Sequence, residues 1–144
     1  MLFKELAIKI IPMKNVTSKK THGFTLVEIM IVVAIIALLA SIAVPGFLRA
    51  RKRSQASRVL NDLRLIDSAL DQYAIETTKL TGFGVSTADW TAYIKSGTYL
   101  YSTGADIFGH GYGSLTVDTI PKVPAATFDA LSDVAPSTFW SPFY

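Results

Sequence analysis

The chain carries few of the residue types that perform chemistry on a substrate. It has no cysteine, which excludes disulfides, thiolate zinc sites and cysteine nucleophiles. Its two histidines, His22 and His110, are far apart in the sequence, and a lone histidine cannot build a zinc site. No glycine-rich phosphate loop accompanies the carboxylates. We therefore expect that the chain is not an enzyme.

The most unusual carboxylate is Glu28, because it lies inside a long apolar stretch, residues 24–44. A carboxylate inside a membrane helix costs about 2.5–3.5 kcal/mol on insertion scales and marks a functional position. Gly23 lies directly before this stretch, and its missing side chain would let a peptidase approach the backbone closely. The sequence therefore predicts a processing site between Gly23 and Phe24.

Cleavage after Gly23 would create a positive amine on Phe24, four residues before Glu28. Within one helix these two groups meet only loosely. In a bundle of staggered identical helices, Glu28 of one subunit reaches the amine of the next, and the pairing offsets the burial cost of both charges. We therefore predict a homopolymer whose register is set by Glu28.

A long helix must position these residues. The apolar stretch has 21 residues, and about 20 are needed to cross the hydrocarbon core of a membrane. Pro45 follows and is expected to kink the helix without ending it. Beyond it, apolar residues recur at three- and four-residue spacing, which predicts an amphipathic continuation over residues 45–77. The predicted buried stripe comprises Ala56, Val59, Leu60, Leu63, Ile66, Leu70, Tyr73 and Ala74.

The net charge of +3 is unevenly distributed. Five lysines precede Gly23 and six basic residues lie between Arg49 and Arg64, whereas the chain from Leu65 onward has three lysines and eight acids. The cations flank a membrane-length stretch and do not share one folded face, so we expect no nucleic-acid partner. For the basic cluster at 49–53, the candidate partners are lipid headgroups or acids of adjacent subunits, and a solvated flank is the alternative.

The sequence of residues 78–144 predicts a small, loop-rich domain. Residues 86–94 predict a short helix capped by Ser86 or Thr87, and residues 99–101 and 113–118 predict strands. The expected fold class is α+β: a long N-terminal helix, transmembrane in its first half and amphipathic in its second, and a small C-terminal domain of a short helix and a small antiparallel sheet. The proline-rich tail ends in an aromatic cluster, namely Phe139, Trp140, Phe143 and Tyr144.

The segment KKTHGFTLVEIMIVVAIIALLASIAVPGFL resembles the signal of type IV pilins and type II secretion pseudopilins. The resemblance implies that residues 1–23 are a leader, that a prepilin peptidase cuts after Gly23 and methylates Phe24, and that Glu28 and Pro45 act in assembly. It implies an inner-membrane protein with a periplasmic C-terminal domain, whose partners are other pseudopilins and an inner-membrane assembly platform. A start at Met13 would give a leader of the usual short length.

Residues 104–112, GADIFGHGY, resemble the aspartate–aromatic–glycine–tyrosine loop of major pseudopilins. Ile107 stands where a proline is common and His110 where an asparagine is common. The lack of cysteine excludes the disulfide of many type IV pilins, so the pattern favours a pseudopilin. Because major pseudopilins often bind calcium, Asp118, Asp129 and Asp133 are candidate ligands, although their spacing matches no known calcium loop.

Other interpretations stay open. A type IV pilin for adhesion or motility would share the same helix. A membrane-tethered periplasmic binding module would share the anchor without polymerising. A plain single-pass anchor gives no reason for Glu28, and a signal peptide cut after Ala43 conflicts with both Glu28 and a stretch longer than about 15 residues.

Overall fold

The structure, a computed structural model, describes residues 23–144. The predicted leader up to His22, with the alternative start at Met13, lies outside the described residues. The chain divides into two compact units, one that ends at Leu38 and one that comprises Leu39–Tyr144. Helix α1, Leu26–Thr77, has 52 residues and extends across the boundary between them. The single long helix predicted from the sequence is confirmed.

The first part of α1 is apolar, and no other described part of the chain covers it. Every residue from Gly23 to Ala50 is exposed, including all the large apolar side chains. Among residues 23–144, one helix is long and apolar enough to cross a membrane, and that helix is α1. An apolar surface of this extent requires lipid or other apolar helices around it.

The part of α1 that belongs to the C-terminal unit is amphipathic, as predicted. Six residues of the predicted stripe are buried, Leu60 and Ala74 are partly buried against the same core, and Ala69 is a buried residue that the prediction omitted. One face of α1 thus forms one wall of the core. The fully or nearly buried residues of α1 are Ala56, Val59, Leu63, Ile66, Ala69, Leu70 and Tyr73.

Short elements pack against this face. In chain order they are β1 (Gly84–Val85), α2 (Thr87–Thr91), α3 (Tyr99–Thr103), β2 (Leu115–Thr116), α4 (Ala125–Leu131) and α5 (Ser137–Trp140). Strands β1 and β2 are antiparallel, with Gly84 opposite Thr116 and Val85 opposite Leu115. The α+β fold class with a small antiparallel sheet is confirmed.

The strand predicted at residues 99–101 is wrong, because these residues begin helix α3. The hydroxyl of Thr98 accepts a hydrogen bond from the Tyr101 amide at 3.2 Å and caps the helix. Gly104 ends it in a left-handed conformation, φ 61°, and its amide donates to the Leu100 carbonyl at 2.8 Å. These caps outweigh the strand-like alternation of tyrosine and leucine.

The other local predictions are confirmed in part. Helix α2 begins after Ser86, whose side chain forms a capping box with Asp89. The predicted strand at 113–118 is present over Leu115–Thr116. Its partner is β1, a strand that was not predicted.

The tail folds into the core. Trp140 and Phe143 of the aromatic cluster are buried with Trp90 and Leu131, and the Trp140 indole nitrogen donates to the Ala135 carbonyl at 3.0 Å. Helices α4 and α5 were not predicted. Both begin after a proline, Pro124 and Pro136, with no side-chain cap, so the sequence carries no capping residue for them.

Candidate functional site

Gly23 and Phe24 precede the first residue of α1 and are exposed. Phe24 keeps 82% of its surface accessible. A Cβ added at Gly23 would meet nothing within 4 Å. Residues 23–144 therefore place no steric demand on Gly23 and leave the predicted processing bond open on their side.

Glu28 turns back toward the beginning of α1. Its Oε2 atom accepts hydrogen bonds from the Thr25 backbone amide at 2.7 Å and from the Thr25 hydroxyl at 2.8 Å. The Glu28 amide donates in return to the Thr25 hydroxyl oxygen at 3.2 Å. This reciprocal arrangement is a capping box, with Thr25 at the N-cap and Glu28 three residues later.

The capping box has an electrostatic consequence for the apolar stretch. It satisfies free donors at the helix N-terminus and holds a negative charge at the positive end of the helix dipole. Both bonds from Thr25 end on Oε2, and the described residues give Oε1 no hydrogen bond. One carboxylate oxygen of Glu28 is thus without a hydrogen bond among the described residues.

Thr25 is the residue that the sequence reasoning missed. The sequence analysis identifies Glu28 as a charge within an apolar stretch and assigns no role to Thr25. The spacing Thr-x-x-Glu directly before an apolar run is the sequence signature of a capping box and could have identified it.

Pro45 and the basic cluster lie further along α1. The helix continues through Pro45; the kink and the role in assembly stay predictions. In the cluster, Lys52 pairs with Asp133, with Nζ 2.9 Å from Oδ2. Arg49, Arg51 and Arg53 are exposed.

A buried aspartate organises the loop at 104–112. Asp106 is fully buried, and its Oδ1 accepts from the amides of Phe108 and His110, each at 2.9 Å. Its Oδ2 accepts from the hydroxyl of Thr127 in α4, which is also fully buried. The His110 Nδ1 lies 2.8 Å from that hydroxyl oxygen. Because the Thr127 hydroxyl donates its proton to Asp106, the hydrogen bond between His110 and Thr127 has the His110 Nδ1–H as its donor. Asp106 therefore links the loop to α4 through hydrogen bonds.

The same loop ends on a buried tyrosine close to α1. Tyr112 is buried, and its hydroxyl has no hydrogen-bond partner within the described part of the chain. Burial, followed by the negative charges of Asp62 and Asp106, raises the pKa of Tyr112. Burial also raises the pKa of Asp62, an effect that Arg58 opposes and Asp106 reinforces. Tyr112, Asp62 and Asp106 are therefore close enough to influence one another electrostatically.

The candidate calcium ligands are not brought together. Asp118 accepts a hydrogen bond from the Thr81 hydroxyl, Asp133 pairs with Lys52, and Asp129 is exposed on α4. Within residues 23–144, no group of three or more histidine, cysteine or acidic side chains is arranged to hold a metal ion. Calcium binding stays a prediction.

Comparison with known proteins places the chain in a family. The family described as "Prokaryotic N-terminal methylation motif" matches residues 18–44, which include Gly23, Phe24 and Glu28. The "Type IV major fimbrial protein FimA" of Dichelobacter nodosus is 36% identical over 116 residues, which cover 78% of this chain and 69% of the relative. The chain therefore belongs to the type IV pilin and pseudopilin family.

Other relatives match shorter parts of the chain. A "Probable minor fimbrial protein" of Dichelobacter nodosus is 45% identical over 71 residues, 49% of this chain and 45% of the relative. The "Type II secretion system core protein G" of Klebsiella pneumoniae is 34% identical over 61 residues, 42% of this chain and 44% of the relative. The chain spans less than half the length of these two relatives. No solved structure matches it.

Proposed function

We propose that this chain is a structural subunit of a pilus-like fibre, anchored in a membrane by the first part of α1 and polymerised through that helix. It performs no catalysis of its own. The observation that carries the proposal is the exposed carboxylate of Glu28 in a helix whose surface is otherwise apolar from Leu26 to Leu48 except for Ser41. A charge in that environment needs a cation, and a second copy of the chain can provide one.

Processing creates the cation. A prepilin peptidase cuts after Gly23 and methylates the new amine of Phe24, which stays positively charged at neutral pH. The amine of one copy then approaches the free Oε1 of Glu28 in another. Two observations support this step: the exposed, uncrowded backbone at Gly23 and the orientation of Glu28 toward the N-terminus of α1. An assembly platform and other pseudopilins complete the set of proposed partners.

As the particular fibre, we propose the pseudopilus of a type II secretion system, with the C-terminal unit on the periplasmic side of the inner membrane. The loop at 104–112 and the absence of cysteine support this assignment. Several relatives are described as core protein G of that system.

The second candidate is a type IV pilin. It is favoured by the match to FimA, which extends over 116 residues and therefore beyond α1 into the C-terminal unit. The matches to core protein G extend over about half that length. The two candidates share the helix and differ in the length and location of the fibre.

The test is to purify the native protein and determine its N-terminal residue by mass spectrometry. The proposal expects a chain that begins at methylated Phe24. A chain that retains the lysine-rich leader, or one that begins at Val44, would contradict it, and the first result would favour a non-polymerising tether. Electron microscopy of the same cells separates long surface fibres from a short periplasmic fibre, and deletion of the type II outer-membrane pore should affect only the latter.

A further inference from the structure

Two arginines of α1 form a charged helix surface that makes no ion pair with the described residues. Arg49 and Arg53 are four residues apart, so they lie on the same side of the helix, and both are exposed. Among residues 23–144, Lys52 pairs with Asp133, and no ion pair includes Arg49 or Arg53. We call the surface formed by Arg49 and Arg53 the arginine face.

Two aspartates further along α1 have the same spacing. Asp67 and Asp71 are also four residues apart, and with Asp118 they line a groove of about 220 Å³. Leu70, Thr119 and Ile120 form the rest of its walls. We call it the acidic groove. Its carboxylates and apolar walls suit a guanidinium group carried on an aliphatic stem.

The charges of the acidic groove are not balanced within the subunit. Burial and the neighbouring charge of Asp71 raise the pKa of Asp67, which means that the two carboxylates repel each other. Arg64 precedes Asp67 by three residues, yet in the described part of the chain no ion pair joins them. A cation from outside would relieve this repulsion.

The two surfaces match in spacing along the helix. Arg49 precedes Asp67 by eighteen residues, and Arg53 precedes Asp71 by the same eighteen. Eighteen residues are about five helical turns, or about 27 Å. When α1 is aligned with a shifted copy of itself, two cations one turn apart can lie opposite two acids one turn apart. Eighteen residues is the only shift that achieves this.

We propose that the arginine face of one subunit docks on the acidic groove of a second, parallel copy that is displaced by about 27 Å along α1. Residues eighteen positions apart lie on the same side of a helix, so the second copy is also turned by about half a turn to bring the two surfaces face to face. Arg49 then pairs with Asp67, and Arg53 pairs with Asp71 beside Asp118. The inference rests on the polymerisation proposed above and adds the surface and the axial offset of one contact. A subunit in a helical array has several neighbours, so this contact and the Glu28 pairing involve different copies.

Cysteine cross-linking tests the offset directly, because the chain has no cysteine of its own. The full chain carrying Arg53→Cys and Asp71→Cys would replace the wild type in its native cells, which are then oxidised intact. We expect disulfide-linked dimers and higher multimers. The matched control combines Arg53→Cys with Gln72→Cys, since Gln72 is exposed at nearly the same height but turned by about 100°. Equal cross-linking of both pairs, or none of the first in cells that make fibres, would overturn the inference.

Charge reversal provides an independent test. Arg49→Glu with Arg53→Glu should abolish fibres while leaving Phe24 methylated, and the addition of Asp67→Arg and Asp71→Arg should restore them. Normal fibres from the arginine variant would refute the contact and leave the proposed function intact. Loss of fibres without restoration, from a four-residue variant that is still folded and methylated, would also refute it. Unprocessed wild-type protein that makes no fibres would refute the proposed function itself.

Discussion

Thr25 and Glu28 cap the first turn of α1 reciprocally: the threonine donates through its amide and hydroxyl, and the glutamate donates its amide to the same hydroxyl oxygen. A carboxylate in this position serves two purposes. It satisfies the helix terminus of the isolated subunit, and its other oxygen is available to a neighbour. The cost of placing Glu28 in an apolar helix is thus reduced before assembly begins.

Thr25→Val should weaken this cap. The Glu28 amide loses its acceptor, and the loss of an N-cap side chain costs about 1 kcal/mol of local helix stability. We expect faster hydrogen exchange of the Glu28 amide by NMR in detergent micelles. Thr25→Ser retains the hydroxyl and should exchange as the wild type does; the same slow exchange in the valine variant would show that the cap is not needed.

Glu28→Gln removes the charge of the side chain and keeps its size, so it tests whether the charge is needed for assembly. The amide can still accept from Thr25, but it cannot balance the amine of Phe24 in another copy. We expect the variant to be cleaved and methylated and to be missing from the multimers that chemical cross-linking traps in intact cells, as judged by mass spectrometry and immunoblotting. Abundant fibres from this variant would refute the pairing, and Glu28→Asp, which keeps the charge on a shorter side chain, is the control.

Gly23→Val should leave an uncut precursor. A Cβ at this position meets nothing within 4 Å in the subunit, so the change reports on the peptidase and not on the fold. The expected result is a mass that still includes residues 1–23. Recovery of a chain that begins at methylated Phe24 would show that the peptidase does not require glycine here. Gly23→Ala adds only one methyl group and shows how large a side chain the peptidase tolerates.

Asp106→Asn should destabilise the C-terminal unit. The buried carboxylate accepts two backbone amides and the Thr127 hydroxyl, and hydrogen bonds to a charged group contribute about 1.5–3 kcal/mol. We expect a lower midpoint of chemical unfolding, followed by tryptophan fluorescence, since Trp90 and Trp140 are buried. Asp129→Asn, at an exposed site, should not change the midpoint; an equal effect of both substitutions would contradict a special role for Asp106.

Asp62→Asn should stabilise the subunit at neutral pH. Burial raises the pKa of Asp62 in the folded state, so its ionised form is disfavoured by folding. The contribution of Asp62 to the free energy of unfolding is therefore greatest below the ordinary carboxyl pKa. This contribution is lost as the pH rises through the raised pKa of the folded state. The variant should unfold at a higher temperature than the wild type at pH 7, and the difference should shrink as the pH falls toward the ordinary value. A difference that grows on acidification would contradict the sign of the shift.

The sequence predicts α1 well because periodicity and length are strong signals over 52 residues. It predicts the C-terminal unit less well, because five-residue helices and two-residue strands depend on caps and on tertiary packing. Tyr99 illustrates this, since Thr98 and Gly104 determine the helix that Tyr99 begins. For the candidate site, Glu28 could be found from its charge alone, whereas Asp106 appears in the sequence as one more loop aspartate until α4 brings Thr127 to it.

The uncovered apolar surface from Phe24 to Leu48 also limits where a subunit can reside. Such a surface is not compatible with water, so a mature copy would exchange only between lipid and its own polymer. There would be no freely diffusing pool in the aqueous compartment. Fibre growth would then depend on the two-dimensional density of subunits in the membrane, and dilution of the surrounding medium should not make a fibre shed its subunits.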